Sequence, residues 1–118
     1  MSAGPGSGAI EAVERIINRE GEADAILRQT VGVLAERLRL PVAVRFHDEE
    51  RWVVGPSAGG YVHRADGEEV RYRGEVVADL AAGAALPPDA RSAFSRIALL
   101  ISPYCLVGWD IGGEDWEP

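Results

Sequence analysis

The stretch Tyr72-Arg73-Gly74-Glu75-Val76-Val77-Ala78-Asp79-Leu80 (residues 72–80) decides how the rest of the chain is read. Arg73-Gly74 is a turn pair, because glycine adopts positive φ at little steric cost. Glu68 to Tyr72 before it and Glu75 to Leu80 after it then form two antiparallel strands. Asp66-Gly67, another dipeptide favoured in tight hairpins, separates Glu68 to Tyr72 from an earlier apolar-polar run, Tyr61 to Ala65. Further back, Val42, Val44 and Phe46 alternate with Ala43, Arg45 and His47, a period of two that marks a half-buried strand. Asp48-Glu49-Glu50 turns the chain into a return strand, Arg51-Trp52-Val53-Val54, which Gly55-Pro56 stops, and Pro56 to Gly60 is loop. The sum is an antiparallel meander of about five short strands.

Helices flank this block. Ile10, Val13, Ile16 and Ile17 fall at helical spacing, and Gly21 ends that run. Ile26, Leu27, Val31, Leu34 and Leu38 form a longer stripe with Arg28, Gln29, Glu36, Arg37 and Arg39 facing elsewhere; Asp24 is its expected cap, and Leu40-Pro41 closes it. After an Ala/Gly linker, Pro87-Pro88-Asp89 opens a last helix whose buried face is Phe94, Ile97, Ile101 and Tyr104. Pro103 lies inside it, removes a backbone hydrogen bond and bends it near Leu99. Gly108 is the expected terminator. The division predicted is a flexible lead over 1–8, one domain over 9–108 and an acidic, Trp-containing tail over 109–118. No internal repeat is present.

A chain of 118 residues supports one core. Its 47% hydrophobic and 26% charged residues place it among globular rather than disordered sequences. The net charge of −7 opposes the phosphate neutralisation that nucleic-acid binding needs, so no nucleic-acid partner is expected. Every basic residue is Arg, a composition suggesting a GC-rich bacterial genome. The single cysteine, Cys105, makes no intrachain disulfide, and no secretion signal is evident, so a cytoplasmic location is expected. The longest apolar run, Ile97 to Val107, is broken by Ser102, Pro103 and Tyr104 and falls short of the ~20 residues of a bilayer span, so no membrane partner is expected.

Helix, helix, two strands, a crossover, then the strand pair ending in Arg73-Gly74-Glu75-Val76-Val77-Ala78-Asp79-Leu80 and a terminal helix: this order resembles a GAF domain over roughly Ile10 to Val107. The resemblance implies an α+β fold with a central antiparallel sheet, the N- and C-terminal helices packed on one face, and a ligand pocket on the other. GAF domains bind cyclic nucleotides, chromophores, metabolites or metal centres, many pair through terminal helices, and one branch reduces free methionine-R-sulfoxide with cysteines. This chain departs from the pattern in the middle, where Gly55 to Gly60 leaves almost no residues to roof a pocket. An unroofed site encloses small polar ligands poorly.

Candidate site residues follow from the strands. Arg45, Arg64, Arg71 and Arg73 are expected on the sheet face away from the helices, where clustered guanidinium groups can hold a phosphate or carboxylate. Glu68, Glu69 and Glu75 lie close enough in sequence to pair with them instead, the commoner fate of such residues. Trp52, Tyr61 and Tyr72 add aromatic area that either seats a ligand or partner or completes the core. The ligand-binding set is therefore Arg45, His47, Trp52, Tyr61, Arg71 and Arg73.

His47 and His63 with Asp48, Glu49 and Glu50 lack metal-ligand spacing, and no metal or other cofactor is expected. Cys105 sits among Tyr104, Leu106 and Val107, an apolar setting that makes a thiol inert, so no catalytic residue is assigned. Gly59-Gly60 and Gly112-Gly113 read as turns. The first helix is too short to be stable uncovered, so a homodimer through the terminal helices is expected, with packing of that helix within its own chain as the alternative. Trp109, Ile111 and Trp116 are costly to leave in water, so the tail is expected to dock, on the open sheet face or on a partner. The function expected is a non-enzymatic signalling or interaction module acting by self-association or partner binding. The alternative is a sensor of a small molecule or anion on the sheet face, and the least supported reading is a methionine-sulfoxide-type redox enzyme.

Overall fold

A computed structural model of the protein describes residues 8–19, 21–48 and 51–115, and the side chains among them except those of Asp48 and of residues 106–115. The elements are α1 (Ala9–Asn18), α2 (Ala23–Leu38), β1 (Val42–Asp48), β2 (Arg51–Ala58), β3 (Asp66–Tyr72), β4 (Glu75–Ala82) and α3 (Pro88–Asp115). Both amphipathic stripes read from the sequence are buried: Val13 and Ile16 on α1, and Ile26, Leu27, Val31 and Leu34 on α2. α2 ends with Arg39 in the left-handed region (φ 58°), its N–H donating to the Ala35 carbonyl at 2.8 Å. Asp24 is not the cap; Glu22 holds that position, and Asp24 sits in the first turn paired with Arg28.

The strands form one antiparallel sheet in the order β2-β1-β4-β3. Val42, Val44, Val70, Ala78, Leu80 and Ala82 face the helices and share a core with Val13, Leu34, Phe94, Ile97 and Ile101. Each large apolar side chain buried there contributes about 1.5–3 kcal/mol. Helices on one face and strands in a single layer give the expected α+β architecture.

Among the described residues the expected meander of about five strands is corrected to four. Tyr61 to Ala65 is not a strand. β2 and β3 occupy opposite edges of the sheet, so residues 59–65 must cross its end, over three strand spacings or roughly 14 Å. Seven residues reach roughly 23 Å at full extension, which leaves little to spare for a roof. Asp66-Gly67 is not a hairpin turn but the start of β3, opposite Ala82 and Ala81. The Asp66 carboxylate accepts the Gly67 N–H, a local bond that resembles turn chemistry, and a Cβ on Gly67 would lie 2.5 Å from the Leu80 carbonyl oxygen. Backbone crowding, rather than a turn, requires glycine here.

β2 likewise runs through Gly55-Pro56 to Ala58 instead of stopping. It is an edge strand, where a proline's missing N–H costs no ladder bond, and the register shifts at this point. Gly55 leaves room for Phe46, whose ring would lie 2.4 Å from an added Cβ.

α3 continues through Gly108 and Gly112-Gly113 to Asp115, so neither the expected terminator nor the expected turn interrupts it. A glycine inside a helix costs only about 1 kcal/mol relative to alanine, less than is needed to end one. Pro103 lies inside α3 as expected. Its missing N–H is compensated by Ser102, whose hydroxyl donates to the Leu99 carbonyl at 3.1 Å.

Candidate functional site

The face of the sheet away from the helices is built around Asp79. Alternation along β4 turns Leu80 and Ala78 into the core and Asp79 to the other side, opposite Arg45 on β1 and Glu69 on β3. Asp79 is only 1% exposed. A carboxylate so far from water needs charged partners, and two arginines supply them. Arg64 binds in fork geometry, Nε to Oδ2 at 2.8 Å and Nη2 to Oδ1 at 3.0 Å. Arg45 adds Nη2 to Oδ2 at 2.9 Å. The hydrogen bonds to Asp79 raise the Arg64 pKa above its ordinary value against the opposing effect of burial. Arg64 belongs to the crossover at 59–65, so this bond ties the connection down onto the sheet.

Beside this pair, Trp52 on β2 stands opposite His47 on β1. The Arg45 guanidinium lies over the Trp52 ring at 5.1 Å, and the His47 ring is 4.7 Å from it at 53°. Trp52 is 39% exposed, and Val54, two residues along the same edge strand, is 67% exposed. The result is a partly apolar, partly cationic patch on β1 and β2.

Of the six residues expected to bind a ligand, Arg45, His47 and Trp52 therefore come together. The other three do not join them. Arg71 reaches Glu69 at 2.8 Å and the Gly74 carbonyl at 3.4 Å, and Arg73 lies over the Tyr72 ring at 5.4 Å, both toward the β3–β4 turn. Tyr61 is 86% exposed on the crossover. The expected pairing of strand arginines with carboxylates is present, but Glu69 hydrogen-bonds Arg71, and the principal acceptor is Asp79. Glu68 instead accepts the Ser95 hydroxyl of α3 at 3.1 Å. Asp79 had a signal in the sequence: a lone acid inside the apolar run Val76 to Ala82 is almost never buried without a partner.

A second carboxylate missed by sequence reasoning, Asp66, joins three elements. It accepts the Leu86 N–H and the Gly67 N–H, both at 2.9 Å, and pairs with Arg91 of α3 at 2.7 Å. These donors, the backbone N–H of Leu86 first, hold the Asp66 pKa below its ordinary value.

Between the β3 edge and α3 lies an open groove of about 540 Å³ lined by Arg64, Glu68, Arg71, Ser95 and Leu99 among others. Among the described residues no group of His, Cys, Asp and Glu is placed to hold a metal ion. Cys105 is buried, and burial pushes its thiol pKa up to about 12, so it carries essentially no thiolate at neutral pH. Among the described residues no helix is long and apolar enough to cross a membrane.

Comparison with solved structures finds the crystal structure of the GAF domain from an Acinetobacter phosphoenolpyruvate-protein phosphotransferase, at a TM-score of 0.72 and 13% identity over 87% of this chain and 93% of that one. The chain has a GAF-like fold. At that identity the likeness is one of architecture. No protein-family model matches the sequence, and no curated protein matches it. The GAF-like resemblance read from the order of elements is thus shown by the structure, with four strands in place of about five.

Proposed function

We propose that this GAF-like domain is a non-enzymatic interaction module that acts by associating with a second copy of itself or with a signalling partner. The observation that carries this reading is the state of the open sheet face. Its crossover is seven residues long, and its two best-placed cations, Arg45 and Arg64, are already engaged by Asp79. What that face offers is a surface with an aromatic residue, a neighbouring apolar side chain and residual positive charge, which suits a protein contact better than an enclosed small molecule. Sedimentation of the chain over a wide concentration range tests it. Concentration-dependent association, or capture of one defined protein with the Trp52 face at the contact, is the expected result.

A sensor of small anions is the second reading. It draws support from two guanidinium groups sharing a single carboxylate beside Trp52. A thermal-shift series with phosphate, small carboxylates and nucleotides checks it, because a ligand at a hundred times its dissociation constant stabilises the fold by ~2.7 kcal/mol. A midpoint that no anion moves while the chain associates favours the first reading.

A further inference from the structure

The two outer strands of the sheet end it differently. β2 carries Gly55, Pro56 and a register shift, which deny a neighbouring strand a continuous ladder. β3, at the opposite edge, runs from Asp66 to Tyr72 without a proline and pairs with β4 on its inner side. Among the described residues no further backbone–backbone hydrogen bond involves positions 66–72. The outer N–H and C=O groups of β3 are therefore a template on which another strand can pair.

The charges along β3 select that strand. Glu69 and Arg71 alternate with buried Val70, so both lie on the open face, where they are exposed and paired with each other. In an antiparallel ladder outward-pointing residues must face outward-pointing ones, so two copies of one strand pair about an axis through a single residue. An axis at Glu68, Glu69 or Arg71 sets that charge against itself. At Gly67 it sets Asp66 against Glu68, and at Tyr72 it sets Arg71 against Arg73. At Val70 it sets Glu69 against Arg71 of the second copy, and Arg71 against Glu69 of the second copy. Like charges directly opposite each other destabilise a pair and opposite charges favour it, so the register centred on Val70 is selected.

α3 adds an apolar contact at the same level. Arg91 pairs with Asp66 and Ser95 bonds Glu68, so four helix residues, about 6 Å, advance with two strand residues, about 6.6 Å. One further turn brings Leu99 beside Val70. Leu99 is 69% exposed and lines the groove at this edge together with Ser95 and Arg71. An axis through Val70 thus brings Leu99 toward Leu99 of the second copy.

We propose that β3 pairs antiparallel with β3 of a second copy about a two-fold axis at Val70, joining the two sheets into one. This inference rests on the self-association reading above. Glu69 and Arg71 keep their pairing within each copy and gain an opposite charge across the axis, so the four charges alternate in sign. Leu99 of each copy covers the other. The open face bearing Arg45 and Trp52 stays uncovered in both copies, continuous across the joined sheet.

Sedimentation equilibrium of the full chain tests this with charge reversals at exposed positions. Glu69→Arg and Arg71→Glu each set two pairs of like charges across the axis, and each is expected to weaken dimerisation about tenfold or more. Mixing these two variants is expected to restore association as a mixed dimer, because every facing pair is then of opposite sign. Both reversals in one chain are expected to restore it as well. Leu99→Glu is expected to weaken dimerisation, and the thermal midpoint of each variant checks that the fold is kept. Dimerisation unchanged in both single reversals and in Leu99→Glu overturns the edge pairing while leaving self-association standing through another surface, such as the terminal helices. Single reversals that weaken dimerisation without recovery in the mixture or the double variant also overturn it. A chain that stays monomeric at every concentration overturns both the edge pairing and self-association.

Discussion

The two faces of the sheet are made of alternate residues of the same strands, and they solve opposite problems. Toward the helices, Val42, Val44, Ala78 and Leu80 lose water to Phe94, Ile97 and the α2 stripe, and nothing there requires a partner atom. Toward the open side, Arg45 and Asp79 occupy the intervening positions, and each needs one. The first face tolerates any apolar group of the right volume; the second depends on a specific set of donors around one buried carboxylate. Stability therefore should be spread widely over the first and concentrated at Asp79 on the second.

The largest effect that tests this contrast is on the apolar side. Phe94→Ala is expected to cost about 3–5 kcal/mol in urea unfolding, the sum of lost burial and an unfilled cavity. On the open side the outcome depends on which partner is removed. Arg45→Ala with Arg64→Ala strands the Asp79 carboxylate out of water and is expected to cost about 3 kcal/mol at neutral pH. Asp79→Asn leaves two arginines that reach solvent and is expected to cost less, about 1–2 kcal/mol. Equal losses for the two would mean that Asp79 is not the group whose burial sets the cost.

Two smaller effects sharpen the picture at the edges of these faces. Asp66 has a pKa depressed below its ordinary 3.8, so its donors stabilise the fold above that value and the contribution is lost as pH falls through the folded pKa. An acid titration of stability should therefore be shallower below about pH 4 in Asp66→Asn than in the parent chain. Ser102→Ala, which orphans the Leu99 carbonyl freed by Pro103, is expected to cost about 1 kcal/mol with no change in oligomeric state.

Both long helices were legible because their apolar stripes repeat at the helical period over many residues, and β1 because Val42 to His47 alternates cleanly. The errors fall where a local signal has two meanings. Asp66-Gly67 looks like a hairpin turn, but the same side-chain-to-backbone bond serves a strand start. Gly55-Pro56 looks like a stop, but on an edge strand it is a register shift. In the candidate site, Arg45, His47 and Trp52 were found because β1 and β2 were paired correctly. Asp79 was missed because its partners come from positions 45 and 64, and neither is near it in sequence.

The sequence by itself determined which segments are helical, which residues alternate, and that an α+β domain of GAF-like order results, because those properties depend on periods of a few residues. Only the tertiary structure decided that β1 lies beside β4, that residues 59–65 cross the sheet instead of joining it, and that Asp79 gathers Arg45 and Arg64. Strand order and charge pairing depend on which distant segments share the burial of one core, and spacing along a single chain carries no record of that choice.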